Sequence, residues 1–354
     1  MSSNWLFDLR GPLTKAQTRW LMVAGIIFFI LVWMLLSSGE QPIIDKSKLP
    51  HPQRVLKAFG DLYHDNELFK NIFRSIGLNL GGYIKAIIYG LFIGFAIGLV
   101  PMLRGMFQKL VDAVRFLPLT AVTGLFILWF GIYAEAKINF LAFGIFIYLL
   151  PVVIQRIDEV DDVYLKTVQT LGASYWQTIK TVYWPSVVSR LSDDIRILTA
   201  ISWTYIIVAE TSADQGGVGS LIYAAQRLNR VDKIFALLVI IMGIGVIQDR
   251  VFTYLDRKFF PFKYQLKDNY NPGIQLKSVS LIDIVVDFII NIMTWILLGI
   301  YVLLLINEFF PFMGGVKPLE YMFGDTLWTV HTAFGIILLY QIIQLYNKYF
   351  RSKT

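Results

Sequence analysis

YLKTVQTLGASYWQTIKTVYWP, residues 164–185, is the longest reach of mixed polarity in the middle of a very apolar chain, and its reading decides how the rest is placed. Leu165, Val168 and Leu171 recur at helical spacing, and Gly172 follows at once. A glycine just past the last apolar turn can take the left-handed conformation that closes a helix C-terminus. Ser174 then offers its hydroxyl to a second helix, with Gln177 three residues on, the spacing of a capping box. Ile179 and Val182 carry an apolar face to Pro185, whose missing N–H predicts a stop or a kink. The stretch reads as helix, tight corner, helix, set between two hydrophobic spans.

Outward from that corner the chain is greasy. It has 354 residues, 56% of them hydrophobic, and a mean hydropathy of +0.59. Several apolar runs exceed the roughly 18 residues that cross a bilayer, so the fold class is all-α, a polytopic membrane protein. Cysteine is absent, which excludes a disulfide framework, a thiol nucleophile and a thiolate metal site. Histidine occurs only at His51, His64 and His331, far apart in sequence, so a histidine-built metal or acid–base cluster is not expected. The net charge of +7 is dispersed between apolar spans. That is the pattern that sets membrane topology, and no nucleic-acid partner is expected.

About eight spanning helices are predicted. The first, Trp20–Leu36, lacks a small-residue cleavage site and reads as a retained anchor. A polar, amphipathic stretch follows from Ser38 to Lys70. The second span, about Ile72–Met102, carries Gly90, Gly94 and Gly98, a ladder that permits close helix approach. The third is about Phe116–Ile132 and the fourth about Ile138–Ile154; after the corner come a fifth at Ile195–Val208 and a sixth at Ile234–Val251. A polar connector, Lys263 to Lys277, leads to two more at Leu281–Ile306 and Leu327–Leu345. The division expected is 1–70, 71–262 and 263–354, with coupling helices at about 159–185.

Basic residues place the corner in the cytoplasm. Arg10, Lys15 and Arg19 precede the first span, Arg104, Lys109 and Arg115 fill the second connection, and Arg257, Lys258 and Lys263 follow the sixth. Both termini then lie inside. The Ser38–Lys70 stretch disagrees, because it would lie outside yet holds Lys46, Lys48, Arg54, Lys57 and Lys70.

The corner resembles the cytoplasmic loop of type I ABC importer permeases, which runs Glu-Ala-Ala, three residues, Gly, nine residues, an aliphatic, one residue, Leu-Pro. Here Lys166-Thr167-Val168 stands in place of Glu-Ala-Ala; Gly172, Val182 and Pro185 keep the spacing, and Trp184 replaces Leu. Glu159, Asp161 and Asp162 lie just upstream of the lost acid. RFLPLTAVTGLFILWFGI (Arg115–Ile132), Lys137-Ile138 and WTYIIVAETSADQGGVGSLI (Trp203–Ile222) are similar to the nitrate/sulfonate/taurine/bicarbonate branch. Asp249, Asp256, Arg257 and Lys258 match the end of its sixth span, and Leu78 stands where that branch commonly has Arg. The likeness covers roughly residues 52–262.

This resemblance implies a six-helix permease core with two extra C-terminal helices, in a bacterial inner membrane. The chain would form half of a translocation pore, a homodimer being the simpler arrangement. A periplasmic or lipid-anchored solute-binding protein would deliver a small oxyanion or sulfonate-like solute, and separate ABC ATPase subunits would drive it. No GxxxxGK[ST] occurs in the sequence, so ATP and Mg²⁺ belong to that partner, and neither cofactor, metal nor catalysis is expected in this chain. The ATPase-coupling residues are Leu171, Gly172, Ala173, Ser174, Tyr175, Gln177 and Pro185. Polar and aromatic groups within a span usually face protein or a wet path, which nominates Ser202, Trp203, Thr204, Tyr205 and Glu210 for the path or gate, with Gln215 beside Glu210. Lys85 would snorkel outward or face an anion, and the C-terminal pair reads as a peripheral hairpin, the other reading being a docking surface for an extra subunit or a brace on the pore. The alternative function is an ATPase-independent channel or secondary transporter; an intramembrane enzyme lacks convergent acid, base or metal ligands.

Overall fold

The computed structural model describes residues 11, 13–39, 42–212, 216–266, 277–312 and 314–350. Gln215 lies outside the described residues. Two compact units are present: the residues up to Glu67 with Ile222–Val239, and Leu68–Leu221 with Ile240 onward.

In the first unit α1 (Lys15–Ser37) opens on a capping box between Thr14 and Gln17. It is apolar all round, with Trp20, Ile26, Phe28, Phe29 and Leu35 exposed, the composition of a helix solvated by lipid. The amphipathic expectation holds for α2 (Pro52–Asp65), which turns Val55, Ala58 and Leu62 inward. Trp33 Nε1 donates to the Pro50 carbonyl at 3.0 Å, and the Trp33 ring meets Phe235 at 5.5 Å.

The second unit is centred on α3 (Leu68–Leu99), α6 (Ala134–Asp158) and α9 (Trp184–Thr211). Gly82, Gly90, Gly94 and Gly98 form one stripe of α3. A Cβ on any of them would lie within 2.7 Å of Leu141, Leu149, Val153 or Ile157 on α6. The ladder therefore lets two backbones approach so that these large side chains fill the gap.

The third span departs from expectation. Residues 101–130 form α4 (Pro101–Val114) and α5 (Leu119–Phe130), bent by 108° at the break. Pro118 is the residue before α5; proline disfavours helix in the residue preceding it, so the run breaks there. Among the described residues six helices are long and apolar enough to cross a membrane, seven with the bent pair as one span, against the eight read from hydropathy. The remaining shortfall is α9, which is 28 residues long but carries Arg190, Asp193, Asp194 and Arg196 in its first half.

The last span of the family-like region is in α11 (Val231–Phe259), preceded by α10 (Val218–Arg227). Beyond it, Tyr264–Leu266 and Lys277–Val279 pair as two three-residue parallel strands, β1 and β2, a small addition to a helical fold. Then come α12 (Leu281–Phe309), α13 (Pro318–Phe323) and α14 (Leu327–Phe350). These helices are not peripheral. Thr329 Oγ1 of α14 donates to the Gly77 carbonyl at 3.0 Å, and a Cβ at Gly77 or Gly81 would collide with Thr326 or Thr329. Arg257 pairs with Asp287 of α12 at 2.5 Å, and Tyr254 donates to Asn291 at 3.1 Å. Lys85 neither snorkels nor faces open space: it donates to Asn139 Oδ1 at 3.1 Å and sits 5.6 Å from the Trp328 ring of α14.

Candidate functional site

The corner is built by local chemistry. Asp161 caps α7 (Asp162–Thr170), accepting from Val163 N at 2.8 Å. At the other end Gly172 has φ +77°. Its N–H bonds the Gln169 carbonyl at 2.9 Å, and Ala173 N bonds the Val168 carbonyl at 3.0 Å. These are the two hydrogen bonds of a Schellman closure, which only a residue tolerant of left-handed φ completes without strain. Ser174 then caps α8 (Tyr175–Thr178): Gln177 N reaches Ser174 Oγ at 3.3 Å, and Ser174 N reaches Gln177 Oε1 at 2.8 Å. Both halves of the expected capping box are present.

Pro185 does not stop the helix. α8 runs through a π-helical turn, Ile179–Tyr183, into α9, with Pro185 in the first turn. Proline cannot donate to the carbonyl four residues back and its ring crowds that carbonyl; a widened turn just ahead relieves both problems.

The corner's two faces differ sharply. Val182 is buried, with Leu165 and Val168 packed against the same core. Leu171, Tyr175 and Trp176 are 81%, 92% and 72% exposed. Ala173 is partly buried and Gln177 exposed. The segment's base is clamped by charge. Arg156 grips Asp194 through Nε and Nη2 at 2.7 and 2.8 Å and reaches Glu159 through Nη1 at 2.6 Å. Arg190 Nη1 donates to the Glu159 carbonyl at 2.7 Å. The Arg156 hydrogen bond holds the Glu159 carboxyl below the usual carboxylate range. Glu159 thus ties the start of the loop to α9 without the family's Glu-Ala-Ala. A cleft of about 510 Å³ beside this clamp is lined by Arg156, Tyr164, Pro185 and Lys263 among others.

The five residues nominated on α9 separate into two sets. Ser202, Trp203 and Glu210 are buried; Thr204 is exposed and Tyr205 half-buried. Ser202 exchanges hydrogen bonds with Asn79 of α3 at 3.0 and 3.2 Å. Trp203 Nε1 donates to Gln248 of α11 at 2.7 Å. Glu210 accepts from Ser75 Oγ at 2.6 Å and from Gly219 N at 2.7 Å. The glycine turn after α9 is fastened by the same residues: Val218 N donates to Ser75 Oγ at 2.8 Å and Gly217 N to Asn71 Oδ1 at 2.7 Å. Farther along, Tyr83 donates to the Ile195 carbonyl and Thr199 to Tyr83 at 3.1 Å. Ser75, Asn79 and Tyr83 thus form a polar seam of α3 against α9. Sequence reasoning missed it, although polar groups every fourth residue of an apolar helix were the signal.

His51 caps α2, His64 lies against Tyr63, and His331 Nδ1 is 2.7 Å from the Tyr301 hydroxyl.

A bundle of apolar helices with a polar seam inside, and a capped corner presenting apolar side chains at its surface, defines a polytopic membrane protein of permease type. Residues 86–261 match the binding-protein-dependent transport system inner membrane component family. With the relatives below, this match makes the chain a permease component of an ABC importer, a system that includes ATPase and solute-binding partners. It is similar to the aliphatic sulfonates transport permease protein SsuC of Bacillus subtilis (strain 168), 28% identical over 66% of this chain and 84% of that one. It is similar to the taurine transport system permease protein TauC of Escherichia coli (strain K12), 25% identical over 72% of this chain and 92% of that one. The nitrate import permease protein NrtB of Synechocystis sp. (strain PCC 6803) is 24% identical over 67% of this chain and 88% of that protein.

Proposed function

We propose that the 159–185 segment is the element through which an ATPase subunit moves this permease, in a pore made of two copies of the chain that passes a small sulfonate or oxyanion. The carrying observation is the corner itself. Leu171, Tyr175 and Trp176 stand exposed on a segment whose backbone bonds are satisfied and whose base is clamped to α9. Exposed aromatic and aliphatic anchors on a rigid support are what a protein partner can bury with little ordering cost. Charge distribution supports a cytoplasmic corner with both termini inside, where ATP and Mg²⁺ would be held by the partner and not by this chain. The solute class is supported by the relatives, named for aliphatic sulfonates, taurine and nitrate.

Within α9 we assign Thr204 and Tyr205 to the path, because they lie on its less buried side. Ser202, Trp203 and Glu210 are assigned to holding α9 against α3 and α11, with Glu210 also fixing the glycine turn of the outer gate.

The absence of cysteine makes the test clean. A single Tyr175→Cys, paired with cysteines on the ATPase surface, should form a disulfide in the assembled importer whose yield changes between nucleotide-free and ATP-trapped states. Failure of Tyr175→Cys and Leu171→Cys to cross-link to the ATPase in any state would overturn the assignment. Uptake with no ATPase present would favour a channel or secondary transporter instead.

A further inference from the structure

The cationic Ser38–Lys70 stretch fits neither the topology rule nor the transport assignment, and its geometry supplies a role. The end of α1, the segment after it and the start of α2 enclose a cleft of about 360 Å³ lined by Lys46, His51, Arg54 and Lys57, with Ser37 and Ser38 at its edge. Its frame is tied down. Ile44 N donates to the Leu36 carbonyl at 3.1 Å, Trp33 holds Pro50, and Ser37 Oγ donates to the Trp33 carbonyl at 2.8 Å. His51 Nδ1 accepts from Gln53 N at 3.3 Å, which leaves Nε2 as the donor face of the ring. Arg54 and Lys57 stand three residues apart on one side of α2, and neither makes an ion pair among the described residues. Among the described residues no carboxylate lines the cleft.

Four cationic or donor side chains converge here, and Asp45 beside Lys46 offsets only part of their charge; such a cluster makes an anion site. Its depth identifies the anion. The 23 residues of α1 rise about 35 Å, slightly more than the roughly 30 Å hydrocarbon core. Ser37 and Ser38 therefore end the helix at the level where phospholipid headgroups lie, and the exposed apolar surface of α1 provides a wall for acyl chains.

We propose that this cleft binds the headgroup phosphate of an anionic phospholipid. With Lys46, Arg54 and Lys57 and no carboxylate among the described lining residues, an anionic headgroup such as phosphatidylglycerol is preferred over phosphatidylcholine.

The test is a native mass-spectrometry titration of the full-length, delipidated chain with phosphatidylglycerol, phosphatidylcholine and inorganic phosphate. Phosphatidylglycerol should bind most tightly. Each cation near an anionic lipid surface is worth about fivefold, so Arg54→Gln/Lys57→Gln should weaken phosphatidylglycerol binding roughly 25-fold, while Arg54→Lys alone stays near wild type. Both positions are exposed, so loss of folding would not account for the change. Equal lipid affinity in the double variant and the wild type would overturn the site. Occupancy by inorganic phosphate that phosphatidylglycerol cannot displace would overturn the lipid and leave a free-oxyanion site.

Discussion

Ser75 of α3 donates its hydroxyl proton to Glu210 of α9 at 2.6 Å, across 135 positions of sequence. The other Glu210 oxygen accepts from Gly219 N, so one buried carboxylate fixes both a helix pair and the turn that follows. Glu210→Ala strands two buried donors, at about 1–3 kcal/mol each, whereas Glu210→Gln retains one acceptor and loses about half as much. The unfolding midpoint in detergent should therefore fall in the order wild type, Gln, Ala. Identical midpoints for all three would show that the node carries no weight.

The same turn has no room for a methyl group. A Cβ on Gly219 would lie 2.7 Å from the Ile207 carbonyl and from Glu210 Cβ. Gly219→Ala should cost about 1–3 kcal/mol by overpacking and reduce uptake. Gly243→Ala, where nothing lies within 4 Å, should be neutral or slightly stabilising. Parallel thermal melts of the two variants check the contrast.

At the corner the constraint is conformational, not steric, since nothing lies within 4 Å of a Cβ on Gly172. Alanine at φ +77° costs about 1–2 kcal/mol and asparagine less. Gly172→Pro fixes φ near −65° and removes the N–H bonded to Gln169, so the closure cannot form. Gly172→Asn should transport near normally, and Gly172→Pro should insert in the membrane yet lose ATP-driven uptake. Full uptake by Gly172→Pro would sink the coupling assignment.

What the sequence revealed was local. Gly172, Ser174 and Gln177 lie within six consecutive positions, so their conformations were legible from spacing alone. Spacing predicts a stop or a kink at Pro185, but its effect depends on where the helix begins, and here it stands in a first turn. Hydropathy over residues 116–132 marks an apolar run but cannot show that its helix, α5, is only 12 residues long, nor that the basic connection before it is itself a helix, α4, set at 108° to it. Gly90, Gly94 and Gly98 announced a close contact without naming α6. The partners of Gly77 and Gly81 lie some 250 positions away, which is why α14 looked peripheral. Spacing also could not separate Ser202 and Trp203, turned into the core, from Thr204 on the next step of the same helix.

The glycine contact makes α14 a brace for α3. Gly81→Ile would drive a branched side chain into Thr329, whose methyl already lies 2.6 Å from a Cβ there. Removing residues from Lys277 onward would instead leave Gly77 and Gly81 uncovered. Both changes should lower the melting temperature of the remaining core, Gly81→Ile by the equivalent of about 1–3 kcal/mol. Thr329→Val, which deletes one hydrogen bond at nearly constant volume, should cost about 1 kcal/mol. A truncated chain melting at the wild-type temperature would restore the peripheral reading.

The clamp at the corner's base has a pH signature with a definite sign. Glu159 has its folded-state acidity set by Arg156, which lowers its proton affinity relative to an unpaired glutamate. A carboxyl so depressed contributes stability above its unfolded value and loses it as pH falls through the folded value. The clamp should thus be intact at neutral pH and release only in the acid range below about pH 4. Hydrogen exchange over residues 159–173 should stay slow from neutral pH down to that range, after correction for intrinsic rates, and then rise. In Arg156→Gln the protection should already be weakened at neutral pH, because Asp194 and Glu159 lose the guanidinium between them and only Arg190, 3.7 Å from the Glu159 carboxylate, remains. Unchanged protection in Arg156→Gln would mean that the caps at Asp161 and Ser174 hold the corner unaided.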